Sequence, residues 1–136
     1  MRLFFSILLG TLLFSCSNTI DIQDLNGYWE IQEVTLANGT KKAYNFSNMV
    51  DFIAVKKDSS GIRKKMKPNL TGSYETSNIE EAFFIKQDGH DIKLYYKTPY
   101  SSWEETILEL NKTQLKVVNQ DGIVYTYKPY EPINID

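Results

Sequence analysis

The chain has 136 residues with 15 basic and 17 acidic side chains, so its formal charge is −2. It contains one cysteine and one histidine. A lone cysteine excludes an internal disulfide, and a chain of this length fits a single domain around one core.

The first 15 residues predict an export leader. Arg2 carries a positive charge, an apolar run extends from Leu3 to Leu13, and the small residue Ser15 ends the segment. The run is shorter than the roughly 20 apolar residues that a membrane-spanning helix needs. This favours a cleaved signal peptide, residues 1–15, over an anchor helix.

Cys16 directly follows Leu13, Phe14 and Ser15, and this order resembles the lipobox of bacterial lipoproteins. The resemblance implies cleavage before Cys16, acylation of its thiol and attachment to the outer membrane, with the side that the domain faces left open. An ordinary secretory signal with a coincidental cysteine is the alternative. We expect residues 16–24 to form a lipidated polar tether, and the envelope compartment excludes nucleic acid as a partner.

Beyond the tether, apolar and polar residues alternate with a period of two, and turn-forming residues interrupt them about every eight to twelve positions. In the first predicted strand, 28–36, Trp29 and Val34 belong to opposite phases, which predicts a bulge near Gln32 and Glu33. A loop at 58–68 is expected between the second and third strands. The other predicted strands are 50–57, 70–76, 82–87, 92–97, 103–110, 114–119 and 123–128.

Eight sequential antiparallel strands with short connections predict an all-β sandwich or barrel. The up-and-down barrel is favoured because closing the sheet removes both of its edges.

The start of the first strand is similar to the Gly-x-Trp signature of the lipocalins, carried here by Gly27 and Trp29. The end of the chain resembles the closing double hairpin of that family. The resemblance implies a lipocalin-like barrel of the calycin type over residues 25–130, a tail at 131–136, and Gly27 and Trp29 at the barrel floor. The residues that carry the resemblance at the end of the chain are Ile107, Leu110, Leu115, Val117, Asp121, Gly122 and Tyr127.

The segment 56–67 is strongly basic within an acidic chain. We expect it to project as a loop that contacts an anionic surface such as lipid head groups, or that serves only as a soluble tip. Its basic residues are Lys56, Lys57, Arg63, Lys64, Lys65 and Lys67.

No catalytic or metal site is predicted. His90 lies in a turn between Asp88 and Asp91, where one imidazole and two carboxylates do not form a tetrahedral zinc site. Glu104 and Glu105, like the pair at 80 and 81, are adjacent in a strand and point to opposite faces, so they do not flank one substrate. We therefore expect no enzyme, no cofactor and no metal.

Two functions remain open from the sequence. A lipid-anchored barrel that binds a small apolar or amphipathic ligand needs an open interior, whereas an accessory lipoprotein that docks an envelope protein can fill its barrel with side chains.

Overall fold

The computed structural model describes residues 19–45 and 48–132. The predicted lipidation site Cys16, the signal peptide and residues 133–136 of the predicted tail lie outside the described residues. Within these ranges a 3₁₀ helix, Ile22–Leu25, precedes nine strands. Their bounds are β1 Gly27–Thr35, β2 Lys41–Ala43, β3 Val50–Val55, β4 Ser60–Pro68, β5 Tyr74–Asp88, β6 Asp91–Lys97, β7 Ser102–Leu110, β8 Leu115–Asn119 and β9 Val124–Pro129.

Eight of these strands close into one antiparallel barrel. β1 pairs with β3, each later strand pairs with the next, and β9 returns to pair with β1. The short β2 pairs with the end of β1 and lies outside the ring. Because closure pairs every ring strand on both sides, it removes the sheet edges. The prediction of an eight-stranded antiparallel barrel is confirmed.

The predicted bulge in β1 is also present. The register between β1 and β9 shifts between Ile31 and Glu33, which leaves Gln32 as the extra residue. One extra residue reverses the phase of the alternation, so Trp29 and Val34 both face the barrel interior. The change of phase in the sequence therefore marks the extra residue of a β-bulge in β1.

The 3₁₀ helix crosses one end of the barrel. It packs against both β3 and β7, which lie on opposite sides of the ring. Leu25 is fully buried, and its carbonyl accepts a 2.8 Å hydrogen bond from Nε1 of the buried Trp29. The predicted tether 16–24 is therefore wrong over its last residues, because Ile20 packs against the core and Ile22 begins the helix.

Apolar side chains fill the half of the barrel nearest this helix. Gly61 is required there, because a Cβ at this position would overlap the ring of Phe83 and lie 2.8 Å from the carbonyl oxygen of Ala54. The missing side chain lets the Phe83 ring occupy the interior. The buried cluster comprises Leu25, Trp29, Ile53, Phe83, Leu94, Tyr96, Ile107, Leu110, Leu115, Val117 and Tyr127.

The predicted loop 58–68 is wrong, because β4 occupies most of it. The predicted strand 70–76 instead begins with the turn that joins β4 to β5. The physical reason is an inverted alternation: Ile62 and Met66 point outward from β4, while Arg63 points inward. Because the charged side chain points inward and the apolar ones point outward, a rule based on hydrophobic alternation does not identify this strand.

Candidate functional site

Arg63 lies inside the barrel, where the apolar half nearest the 3₁₀ helix ends. Its Nε and Nη2 donate to Oδ2 of Asp51, with an Nε distance of 3.1 Å. Nη1 donates to the hydroxyl of Tyr96 at 3.0 Å and to Glu105 at 3.3 Å. Nη2 also donates to the hydroxyl of Tyr127 at 2.8 Å. These five residues form the Arg63 network.

The Arg63 network uses the full donor capacity of the guanidinium. Arginine carries five N–H groups, and Arg63 makes five hydrogen bonds within the network. Among the described residues, no buried side-chain nitrogen or oxygen lacks a partner. Arg63 therefore has no donor left to hold a ligand, and the network acts as a polar plug across the barrel.

The two carboxylates of the network have opposite pKa shifts. Burial raises the pKa of Asp51, but Arg63 and the ammonium of Lys65, 2.6 Å away, outweigh it and hold that pKa below its usual value. Burial raises the pKa of Glu105 above its usual value, and its one contact with Arg63 does not compensate. Glu105 is therefore the first of the two to gain a proton as pH falls.

Burial also raises the pKa of both network tyrosines, that of Tyr127 to about 12 and that of Tyr96 further. Both phenols stay protonated at neutral pH. The Tyr96 ring stacks on Trp103 with centroids 5.1 Å apart and planes at 6°, and it also packs against Phe83. Rings and ion pairs together occupy the middle of the barrel.

A groove of about 280 Å³ lies on the outside of the barrel. It is bounded by β1, the chain before β3, the turn between β4 and β5, and the chain after β9. Its lining residues are Glu30, Asn45, Asn48, Pro68, Asn69, Leu70, Gly72, Ser73, Tyr74, Tyr130, Glu131 and Pro132. We call it the outer groove.

The outer groove forms where the β4–β5 hairpin folds over the barrel surface. The β4–β5 register shifts between Lys64 and Met66, where three residues of β5 oppose one of β4, and such a bulge bends a hairpin. The bend brings Tyr74 onto Tyr28 of β1, with centroids 4.4 Å apart and planes at 12°. Tyr130 stands beside Tyr74 at 6.3 Å and 73°. Two rings thus meet as a corner in the groove wall.

Two shallower depressions also lie on the outer surface. One, of about 320 Å³, extends from the outer faces of Phe84, Tyr95 and Glu104 to the β6–β7 end of the barrel, where the edges of Tyr96 and Trp103 and the residue Gln120 complete its lining. The other, of about 280 Å³, lies beneath the 3₁₀ helix next to Lys112. Each of the two is also lined in part by side chains of the interior, Tyr96 and Trp103 in the first and Trp29 in the second, whereas none of the core residues lines the outer groove.

The six predicted basic residues do not form one projecting loop, and this correction follows from β4. Lys56 and Lys57 are exposed at the β3–β4 turn. The strand divides the others, because inward positions enter the barrel and outward ones meet neighbouring strands. Arg63 is buried inside, Lys64 pairs with Glu80 across β5, Lys65 pairs with Asp51, and Lys67 is exposed.

The structure places Gly27 and Trp29 where the 3₁₀ helix crosses the barrel end. Gly27 has φ +133°, a conformation that favours glycine, and the Trp29 ring belongs to the core. Glu104 and Glu105 do point to opposite faces, but Glu105 is only 8% exposed. Glu105 is buried because it points into the barrel, where Arg63 donates a hydrogen bond to it.

The Arg63 network and the outer groove were missed by the sequence reasoning. One signal was available for the network: Asp51 is an acid within the otherwise apolar strand Val50–Val55. A buried acid requires a cation or several donors nearby. No comparable signal exists for the groove, because its tyrosines come from three separate segments.

In the described ranges, no three or more His, Cys, Asp or Glu side chains form a group able to hold a metal ion. No helix in those ranges is long and apolar enough to cross a bilayer.

One family of known proteins matches more than half of the chain. A family described as "Lipocalin-like domain" matches residues 25–117. A lipocalin-like protein from Bacteroides uniformis ATCC 8492 has a similar crystal structure, with 12% identity, coverage of 79% of this chain and 99% of that one, and a TM-score of 0.48. The crystal structure of an uncharacterized protein from Bacteroides eggerthii DSM 20697 is also similar, with 14% identity, coverage of 78% of this chain and 99% of that one, and a TM-score of 0.48. No curated protein matches the chain. The family match confirms the resemblance seen at Gly27 and Trp29, and the chain belongs to the lipocalin-like domain family.

Proposed function

We propose that the mature protein is held at the outer membrane by acylated Cys16 and binds a small amphipathic molecule in the outer groove, without catalysis. The leader and the order of residues before Cys16 support the anchor. A lipocalin-like barrel is compatible with ligand binding, and barrels of this family are generally binding proteins.

The observation that carries the proposal is the saturated Arg63 network. To enter the barrel, a ligand has to displace the apolar side chains in the half nearest the 3₁₀ helix or separate the buried ion pairs of the Arg63 network. Breaking a buried pair costs about 3 to 5 kcal/mol, which an ordinary small ligand has to recover before it binds. The interior therefore serves stability, and binding is left to the outside.

The outer groove has the properties that the interior lacks. Its volume of about 280 Å³ is near the lower end of small-molecule sites, and it combines aromatic, apolar and polar lining. The outer face is also well supported here, because Val50 and Met66 point outward yet are only 1% and 8% exposed. A site built on rigid elements holds its shape without a ligand.

Docking of an envelope protein is the second function that we propose for this surface. Phe84 is 57% exposed beside Tyr95, on the outer side of the depression at the β6–β7 end of the barrel. Large exposed aromatic groups are enriched at protein interfaces. This function requires a different surface from the outer groove, so the two proposals can be separated by mutation.

Titration with N-phenyl-1-naphthylamine, a neutral apolar dye, tests the binding proposal on the chain from Ser17 to Asp136. We expect saturable fluorescence, with amide NMR shifts confined to the residues around Tyr74 and Tyr130. Tyr130→Ala should weaken binding, whereas the matched control Tyr95→Ala on another outer face should not. Shifts concentrated on the inward positions of β6 to β8 would show that the ligand enters the barrel and would overturn the proposal.

A further inference from the structure

We infer that the outer groove binds a neutral sugar, as one or two pyranose rings of a glycan. This rests on the proposed function and names its ligand class. The groove joins a tyrosine corner to unpartnered amide and carboxylate groups, and no basic side chain lines it among the described residues.

The tyrosine corner supplies the apolar part of such a site. One ring of the pair, Tyr74, is backed by Tyr28 at 4.4 Å, which fixes its orientation. Tyr130 meets it at 73°, so the two rings form two walls. Aromatic side chains offer a large rigid surface at low entropy cost, and one face of a pyranose ring carries mainly C–H groups that pack on such a surface.

The polar part matches hydroxyl groups. Within residues 19–45 and 48–132, the side chains of Asn45, Asn48 and Glu131 make no hydrogen bond or ion pair with another described residue. An amide both donates and accepts, and a carboxylate accepts. A sugar hydroxyl also donates and accepts, so this set can satisfy several hydroxyls around one ring.

Charge excludes the competing anions. Among the lining residues that the structure describes there is no Lys, Arg or His, and the charged ones are Glu30 and Glu131. Glu30 is already paired with Lys128 at 3.2 Å, which leaves one carboxylate for a ligand. A phosphate or uronic acid is repelled by this lining. A quaternary ammonium group prefers to meet several aromatic faces, and Tyr28 already covers one face of Tyr74.

The test uses the full chain purified in lauryldimethylamine oxide, a detergent without a sugar head group. Saturation-transfer difference NMR is recorded at millimolar concentrations with maltose, cellobiose and lactose, with digalacturonic acid as the anionic arm and choline chloride as the cationic arm. We expect signal on ring C–H protons of at least one neutral disaccharide, and none from the two charged probes.

Variants locate the site. Tyr130→Ala should weaken sugar binding about tenfold, Asn48→Ala should weaken it several-fold, and Tyr130→Phe should keep most of it because the ring remains. Tyr95→Ala is the matched outer-face control and should bind like the unmodified chain. Each variant is first checked for an unchanged thermal midpoint, and Asn48→Ala supplies the groove test if Tyr130→Ala does not fold.

The failures of the two proposals are distinguishable. Absence of signal from all three disaccharides, equal weakening by Tyr95→Ala, or a signal from choline or digalacturonic acid alone overturns the sugar inference. If the naphthylamine dye still binds at Tyr130 in that case, the groove remains a ligand site of another class. If the dye does not bind at the groove either, both the binding proposal and the sugar inference are overturned.

Discussion

Replacing Arg63 by Met should be the most informative single change in the barrel. The variant keeps a long apolar side chain but removes all five hydrogen bonds of the guanidinium. Asp51 keeps Lys65 as a partner at 2.6 Å, whereas Glu105 loses its cation. Removing one partner of a buried pair costs about 3 to 5 kcal/mol, and the retained Lys65 contact places this case near 3 kcal/mol.

A loss of that size is measurable in a domain whose total stability is of order 5 to 15 kcal/mol. At roughly 4 °C per kcal/mol, the thermal midpoint should fall by about 12 °C. Urea unfolding followed by fluorescence gives the same quantity, because Trp29 is buried and Trp103 is half-buried inside the barrel. The loss should shrink at lower pH, since Glu105, with its raised pKa, is then neutral.

Lys64→Met is the matched control, because Lys64 is the next residue, points outward and pairs with Glu80 at 3.4 Å on the surface. A surface pair contributes about 0 to 1 kcal/mol. The double change Arg63→Met with Glu105→Leu should recover most of the loss, since it removes the unpaired charge. If Arg63→Met is no less stable than Lys64→Met, or if the double change recovers nothing, the polar plug is not what holds the barrel.

Four further predictions follow from other residues. The fold raises the pKa of Glu105, so the unmodified chain should lose stability as pH rises from 4.5, the ordinary pKa of a glutamate, through the higher pKa of the folded state. Glu105→Gln should abolish that loss, as measured by urea midpoints between about pH 4 and pH 8. The phenol of Tyr127, with a pKa of about 12, should titrate later than exposed tyrosines in ultraviolet absorbance, and a single ionisation step near pH 10 for all tyrosines would contradict the buried network. Gly61→Ala should destabilise the barrel by about 1 to 3 kcal/mol through overlap with Phe83, and Phe83→Leu in the same chain should recover part of this. Cys16→Ala should leave unprocessed precursor without radiolabelled palmitate, and equal labelling of both forms in cells would refute the lipoprotein interpretation.

Much of the fold follows from local patterns. Alternation with a period of two and turn residues such as Gly39, Gly89 and Gly122, all at positive φ, mark hairpins wherever they occur. The phase change at Gln32 marks the bulge in β1. These signals act between neighbours along the chain, which is why the closed antiparallel barrel could be predicted. The predicted count of eight strands agrees with the ring only because the prediction divides β5 into 70–76 and 82–87 and assigns β4 to a loop.

β4 shows where local patterns fail. Its basic residues indicate a solvated loop, and the same residues form a strand because Asp51 and Glu105 stabilise a charge inside the barrel. Whether a charge lies in water or beside a buried partner depends on residues far away in sequence. The candidate site was missed for the same reason, since Tyr28, Tyr74 and Tyr130 meet only after the β4–β5 hairpin bends.

The sequence by itself therefore determined the export leader prediction, the strand rhythm, the bulge and the resemblance at Gly27 and Trp29, because each depends on residues close together in the chain. The tertiary structure alone decided that the Arg63 network plugs the middle of the barrel and that Tyr28, Tyr74 and Tyr130 meet on its outer face. The physical reason is distance along the chain: the partners of Arg63 lie between 12 and 64 residues away, and only closure of the barrel brings their charges and hydroxyls within hydrogen-bonding range.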